Sequence, residues 1–204
     1  MLRYRPGVAL VIVDVQNDFA DPKGSLSVRG APAIVPVVNA QAAEARRCGA
    51  LVVLTQDWHP SRTPHFIRDG GPWPPHCVQD SWGAELYPSL DVPEGTPIVR
   101  KGSNGEDGYS AFTMRDPAGG TDVPTMLHPL LQTAGVEEVV VVGLATDYCV
   151  RATALDSLRL GFRTVVLTDG IAAVNVAEGD GERALEELAA AGATLHVSAE
   201  PEAR

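Results

Sequence analysis

The chain has 204 residues, of which 45% are hydrophobic and 21% charged, a composition typical of one folded domain with a substantial core. Its net charge is −10, and this excess of acids disfavours nucleic acid and anionic membranes, which both bind through lysine and arginine. The chain has three cysteines, no basic-then-apolar signal at its start and no apolar run of about 20 residues, so we expect a protein of the reducing cytoplasm that crosses no membrane.

In chain order, six apolar and β-branched runs alternate with helical patterns. The strand-like runs cover residues 8–15, 50–55, 96–101, 137–144, 163–169 and 194–198. The helical patterns cover residues 35–49, 125–135, 146–161 and 178–192. Strands that are apolar on both faces and separated by helices indicate a parallel sheet covered on both sides. We therefore predict a single doubly wound α/β domain over residues 1–204, with about six mainly parallel strands and helices on both faces.

Four side chains that could take part in catalysis or ligand binding lie where predicted strands end: Asp14, Asp57, Lys101 and Cys149. Ligands of such sheets bind outside the carboxyl ends of the strands, so we expect these four side chains to converge at one edge. The first strand is not followed by a G-x-G-x-x-G turn, and its acids would repel a pyrophosphate. We therefore expect no dinucleotide cofactor.

Cys149 follows the fourth of these strands and precedes a helical pattern. With Thr146 or Asp147 as the N-cap, the thiol would lie in the first helical turn, where free N–H groups and the helix dipole stabilise a thiolate. The alternative is that Cys149 is a small packed residue, as most free cysteines are. Cys48, inside an amphipathic helix, is better explained as part of the core.

Asp14 and Lys101 each have an ordinary explanation when taken alone. Asp14 could cap a neighbouring loop, and a lysine at a strand end is commonly solvated. Together with Cys149 they suggest a reactive group, because a cation keeps a nearby carboxylate ionised and the carboxylate can accept the thiol proton.

Residues 57–95 form a long segment rich in proline and tryptophan, which is typical of a functional loop. Its first part, at about 57–77, holds the possible metal ligands Asp57, His59, His65 and His76. Imidazole and carboxylate suit Zn²⁺, Fe²⁺ or Mn²⁺, with Zn²⁺ the favoured ion, although this spacing matches no general motif. Cys77 is interpreted as a packing residue, and His128 and His196 as structural.

Four stretches give the chain a specific resemblance: "VIVDVQNDF", "TQDWHP…HF" with "WPPHC", "RKG…YSAF" and "GLATDYCVRATALDS". They resemble the nicotinamidases of the isochorismatase-like cysteine hydrolase superfamily, with which they share motifs from about residue 8 to 170. The resemblance implies a catalytic triad of Asp14, Lys101 and Cys149, and one divalent metal held by Asp57, His59, His65 and His76.

The same resemblance implies a cis peptide between Leu144 and Ala145, with the N–H groups of Ala145 and Cys149 as an oxyanion hole. It also implies that Phe19, Trp73 and Tyr109 line the pocket for the substrate ring. The glycine-rich "SNGEDG" before Tyr109 departs from the family pattern and leaves the position of Tyr109 open.

The reaction that the resemblance implies is hydrolysis of a small-molecule amide, nicotinamide, to nicotinate and ammonia through a cysteine thioester; pyrazinamide is a further substrate. The alternatives are an isochorismatase or an N-carbamoyl amide hydrolase of the same superfamily, and a catalytically silent metal-binding protein. A thiol redox protein is disfavoured because Cys149 has no C-x-x-C partner. The identity of the metal and a possible homo-oligomer stay open.

Overall fold

A computed structural model describes residues 2–198 of the chain. The strands are β1 (Val8–Val13), β2 (Leu51–Asp57), β3 (Ile98–Lys101), β4 (Thr113–Arg115), β5 (Asp122–Pro124), β6 (Glu138–Leu144), β7 (Arg163–Ala172) and β8 (Thr194–His196). Six of them form the main sheet in the order β3-β2-β1-β6-β7-β8, and each neighbouring pair is parallel. The α-helices are α1 (Asn17–Ala20), α2 (Ala31–Arg47), α3 (Leu127–Thr133), α4 (Arg151–Arg159) and α5 (Asp180–Ala190). The predicted six-stranded α/β fold is confirmed.

Alternate residues of the central strand β1 enter two different hydrophobic cores. Leu10 and Ile12 pack with α2 on one face, whereas Val11 packs on the other face with α3, α4 and α5. Every residue of β1 is buried because helices cover both faces of the sheet. This explains why the strand is an unbroken apolar run rather than an alternating pattern.

The structure differs from the sequence prediction mainly at element ends. Helix α2 begins at Ala31, before the predicted start at residue 35, since Pro32 occupies its first turn, where the missing N–H has no helical partner. Strand β7 continues to Ala172, beyond the predicted end at residue 169, whereas β8 ends at His196 rather than 198. The antiparallel hairpin β4–β5 and the four-residue helix α1 were not predicted, because segments so short carry no readable periodicity.

No helix among residues 2–198 is both long and apolar enough to span a bilayer.

The contact between β1 and β6 depends on a glycine. Gly143 has φ +111°, and a Cβ atom there would lie 2.1 Å from the carbonyl oxygen of Val13 in the neighbouring strand. Gly161 also has a positive φ, +89°, but an added Cβ would meet no atom within 4 Å. Alanine at either position would therefore be in an unfavourable backbone conformation, but only at Gly143 would its Cβ also clash with a neighbouring atom.

We predict that Gly143→Ala lowers the free energy of unfolding by more than Gly161→Ala does. The backbone cost of about 1–2 kcal/mol applies to both variants, and overpacking adds about 1–3 kcal/mol for Gly143 alone. Urea denaturation followed by tryptophan fluorescence measures the difference. Equal losses in the two variants would contradict the close approach of β1 and β6.

Candidate active site

The four predicted side chains meet at the carboxyl edge of the main sheet, as the strand-end rule predicts. Asp57 and Lys101 end β2 and β3 and are direct neighbours in the register of those strands. Asp14 follows β1, and Cys149 lies five residues beyond the end of β6. Ligand atoms of Asp14, Asp57 and Cys149 lie within 4.8 Å of one another.

Lys101 is at the centre of this group and is only 1% exposed. Its Nζ donates a hydrogen bond to Asp14 Oδ2 at 2.7 Å and lies 3.4 Å from Cys149 Sγ. It also lies 2.8 Å from Asp57 Oδ1, an ion pair outside hydrogen-bond geometry. The alternative of a solvated lysine is therefore wrong: the ammonium is buried between two carboxylates and a thiol.

The charges of this cluster depend on one another. Burial favours a neutral lysine, but Asp14 and Asp57 raise the pKa of Lys101 well above its ordinary value. Burial would also raise the pKa of Asp57, yet Lys101 and His59 bring it well below the usual range. For Asp14, burial outweighs Lys101, so its pKa is raised and the carboxylate is a better proton acceptor.

Cys149 lies in a π-helical turn, Thr146–Val150, which leads directly into α4. The predicted N-caps are wrong: Ala145 occupies the cap position, and the carboxylate of Asp147 accepts hydrogen bonds from the backbone N–H groups of Val174 and Asn175 instead. Burial raises the pKa of the Cys149 thiol well above its ordinary value, and Lys101 opposes this only in part. Any stabilisation of a thiolate by the helix start therefore acts against the cost of burying its charge.

The backbone before Cys149 has the geometry that the resemblance implies, with a cis peptide bond between Leu144 and Ala145. Ala145 is buried beside the thiol, and both residues line the same cavity.

Three histidines of the loop meet beside the cluster. Nitrogen atoms of His59, His65 and His76 lie within 4.8 Å of one another, and all three rings are buried. The Nε2 atoms of His59 and His76 lie 3.8 and 3.9 Å from Asp57 Oδ2. Among residues 2–198, neither ring nitrogen of His59 has a hydrogen-bond partner. Buried imidazole nitrogens without partners are costly unless they bind a cation, so this donor set fits a divalent metal.

The outer nitrogens of the other two rings are held by acceptors. His76 Nδ1 donates to the carbonyl oxygen of Pro74 at 2.8 Å, and His65 Nδ1 to Asp107 Oδ1 at 2.5 Å. Both tautomers leave the Nε2 lone pair free, which is how metal-binding histidines are commonly oriented. Burial lowers the pKa of His76 to about 4, which keeps this ring neutral.

Sequence reasoning missed Asp107, which belongs to the glycine-rich "SNGEDG" stretch. Its only signal there was an acid within a loop that departs from the family pattern. It also missed Gln16, whose side-chain amide holds the backbone of Asp57 through bonds to both its N–H and its carbonyl oxygen.

The Cys149 thiol, His65 and His76 line one small cavity with aromatic walls. Trp73 Nε1 donates to the Tyr109 hydroxyl at 3.0 Å, which places Tyr109 in the wall and answers the question left by "SNGEDG". Tyr148, not singled out from the sequence, packs edge-on against both rings. The cavity is lined by Phe19, Leu26, Asp57, His65, Trp73, His76, Tyr109, Ala145, Tyr148, Cys149 and Val174.

The other cysteines and histidines lie outside this site. Cys77 is fully buried in the core, and Cys48 is half-buried at the end of α2, packed against the same core. His128 packs edge-on against Phe162, and His196 lies in strand β8.

Comparison with known proteins identifies the family. The family model of the isochorismatase domain matches residues 8–200. The chain belongs to the isochorismatase family.

Several known proteins are similar to this chain over nearly its whole length. A nicotinamidase of Escherichia coli (strain K12) is 39% identical, and the alignment covers 96% of this chain and 97% of the E. coli protein. Pyrococcus horikoshii pyrazinamidase, solved in complex with zinc, is 40% identical with a TM-score of 0.84, covering 95% of this chain and 100% of its own. The L. infantum protein PnC1, solved in complex with nicotinate, is 38% identical with a TM-score of 0.86, covering 96% of each chain.

A glycine leaves the space that the ring of His59 occupies in this isochorismatase-family site. Gly102 has φ +73°, and a Cβ atom there would lie 2.6 Å from His59 Nδ1. Gly105 is three residues further along, has φ +90°, and its added Cβ would meet only Pro60, at 3.9 Å.

We predict that Gly102→Ala displaces the His59 ring and weakens zinc binding by at least about 10-fold, whereas Gly105→Ala leaves it near the parent value. Competition with a fluorescent chelator measures both affinities. The backbone cost of a positive φ is common to the two variants. Identical zinc affinities would show that the His59 ring does not need the space above Gly102.

Proposed function

We propose that this chain is a nicotinamidase, an amidohydrolase that converts nicotinamide to nicotinate and ammonia through a thioester on Cys149. The observation that carries the proposal is the shared cavity: the Cys149 thiol, which lies beside Lys101, and two of the three clustered histidines, His65 and His76, line one small space with aromatic walls. The similarity to proteins named nicotinamidase and pyrazinamidase supports the same reaction.

In this mechanism Asp14 accepts the proton of the Cys149 thiol, and the sulfur attacks the amide carbon. The raised pKa of Asp14 suits a base, and Lys101 holds that carboxylate in place at 2.7 Å. The positive charge of Lys101, 3.4 Å from the sulfur, stabilises the thiolate as it forms.

The attack places negative charge on the carbonyl oxygen of the substrate. We propose that the N–H groups of Ala145 and Cys149 receive this oxyanion, since both residues are buried and line the cavity into which the substrate amide would fit. Asp14 then delivers its proton to the departing ammonia. Water hydrolyses the thioester, with Asp14 again as the base.

We propose that Asp57, His59, His65 and His76 hold one divalent metal ion, with Zn²⁺ favoured by the ligand types and Fe²⁺ or Mn²⁺ compatible with them. When bound, such an ion supplies a Lewis acid for the ring nitrogen of nicotinamide, which orients the amide toward Cys149. Phe19, Trp73 and Tyr109 would hold the faces and edge of the ring. Pyrazinamide, with a similar ring, is expected to react as well.

The alternatives fit the cavity less well. Isochorismate carries carboxylates, but no lysine or arginine is among the residues that line the cavity in the described part of the chain. An N-carbamoyl amide has no need of the aromatic wall. A silent metal-binding protein would gain nothing from burying Lys101 and Asp14 beside a thiol, since burial of charges is costly.

We further propose that the chain acts as one catalytic domain in the cytoplasm, where a thiol nucleophile stays reduced.

We predict that Cys149→Ala lowers the rate of ammonia release from nicotinamide by at least about 10³-fold, because no other group can form the thioester. Cys48→Ala removes a thiol outside the cavity and should retain the parent rate. Zinc content and the urea midpoint of both variants establish that each is folded. Mass spectrometry of quenched parent enzyme should detect a nicotinoyl adduct on Cys149. An active Cys149→Ala enzyme would exclude covalent catalysis.

A second prediction concerns the ring nitrogen. Benzamide has the shape of nicotinamide and lacks only that atom, so the metal-loaded enzyme should prefer nicotinamide in kcat/KM by at least about 100-fold. Removing the metal with a chelator should abolish most of this preference, while iodoacetamide still alkylates Cys149. If benzamide is hydrolysed as efficiently, or chelation leaves nicotinamide turnover unchanged, the metal does not bind the ring.

A further inference from the structure

Thr55 makes two contacts with Asp14 that the mechanism above does not use. Its Oγ1 donates a hydrogen bond to Asp14 Oδ1 at 2.5 Å and accepts one from the Asp14 backbone N–H at 3.1 Å. Both residues are fully buried, so neither bond is shared with bulk water. The hydroxyl therefore holds the backbone and the carboxylate of the same residue.

The backbone of Asp14 explains why such a contact is needed. Strand β1 pairs with β2 up to Ile12 and Leu54, and Asp14 then turns into the left-handed region with φ +48°. This conformation is unfavourable for a residue with a side chain, although aspartate tolerates it better than most. By leaving the sheet, Asp14 also loses a partner for its N–H, and the Thr55 hydroxyl replaces that partner.

The carboxylate of Asp14 is bound from two sides. Lys101 holds Oδ2, and Thr55 holds Oδ1. A carboxylate with a single donor can rotate about its Cβ–Cγ bond, whereas two donors on different oxygens fix its plane. Proton transfer requires that the base and the thiol keep a hydrogen-bonding geometry, and small displacements are costly in rate.

We infer that Thr55 is a positioning residue for catalysis, which holds the plane of the Asp14 carboxylate so that it can exchange a proton with Cys149 and with the departing ammonia. This inference rests on the proposed function, since it gives Asp14 the role of base. Thr55 itself is not among the residues that line the cavity.

The test replaces Thr55 by valine, which keeps the branched shape and removes the hydroxyl, and by serine, which keeps the hydroxyl. We expect Thr55→Val to lower kcat for nicotinamide by about 10–100-fold with little change in KM, and Thr55→Ser to restore most of the rate. Thr164→Val is the matched control: Thr164 is a buried threonine of β7 whose hydroxyl bonds to Ser157, away from the site. Its kcat should equal the parent value.

A double-mutant cycle with Asp14→Ala tests the contact itself, whereas the kcat-against-KM split and the rescue by serine separate positioning from a general structural role. Thr55→Val should destabilise the parent enzyme in urea more than it destabilises Asp14→Ala, because the carboxylate bond is already absent from the second background. This measurement needs no activity, so it tests the contact even if wild-type enzyme releases no ammonia and the proposed function fails. An unchanged kcat in Thr55→Val, equal rate losses in the valine and serine variants, or additive effects with Asp14→Ala would each overturn the inference.

Discussion

The buried ammonium of Lys101 is the interaction on which the rest of the site depends. It lies on the edge strand β3 and reaches Asp57 at the end of β2 and Asp14 beyond the end of β1, so one side chain spans the ends of three neighbouring strands. A charge buried this deeply is stable only when paired, and here two carboxylates pair it. Removal of either carboxylate would leave the positive charge of the ammonium only partly neutralised. The stability of this sheet edge therefore depends on the same charges that form the site.

Asp57 joins the two halves of the site through its two oxygens. Oδ1 lies beside Lys101, and Oδ2 faces the rings of His59 and His76. The thiol and the histidine cluster are therefore held at a fixed separation by one carboxylate, whose own backbone is fixed by Gln16. The two halves share one small cavity, since Cys149 of the first half and His65 and His76 of the second line it together with aromatic side chains.

Sequence reasoning could place Asp14, Asp57, Lys101 and Cys149 together because parallel strands end at a common edge, and this rule needs no side-chain detail. The residue types of the histidine set already suggested a metal site, and the resemblance made this prediction specific, since the spacing follows no general motif. The roles of Thr55 and Asp107 could not be predicted from the sequence. Thr55 bonds to a residue 41 positions away and Asp107 to one 42 positions away, and such contacts depend on strand register and loop conformation. Asp147 was misassigned as a cap because the loop at Val174 and Asn175 competes for its carboxylate.

The environment of Cys149 shows why its position at a helix start was an incomplete argument. A helix terminus offers fractional positive charge, but burial acts on the whole charge of a thiolate, so the pKa of Cys149 is raised despite Lys101 at 3.4 Å. The pKa of Asp14 is raised by burial as well. Burial therefore opposes negative charge on both the thiol and the carboxylate, and Lys101 is the cation that faces both groups. The ammonium thus links the two groups, because its positive charge compensates whichever of them is ionised.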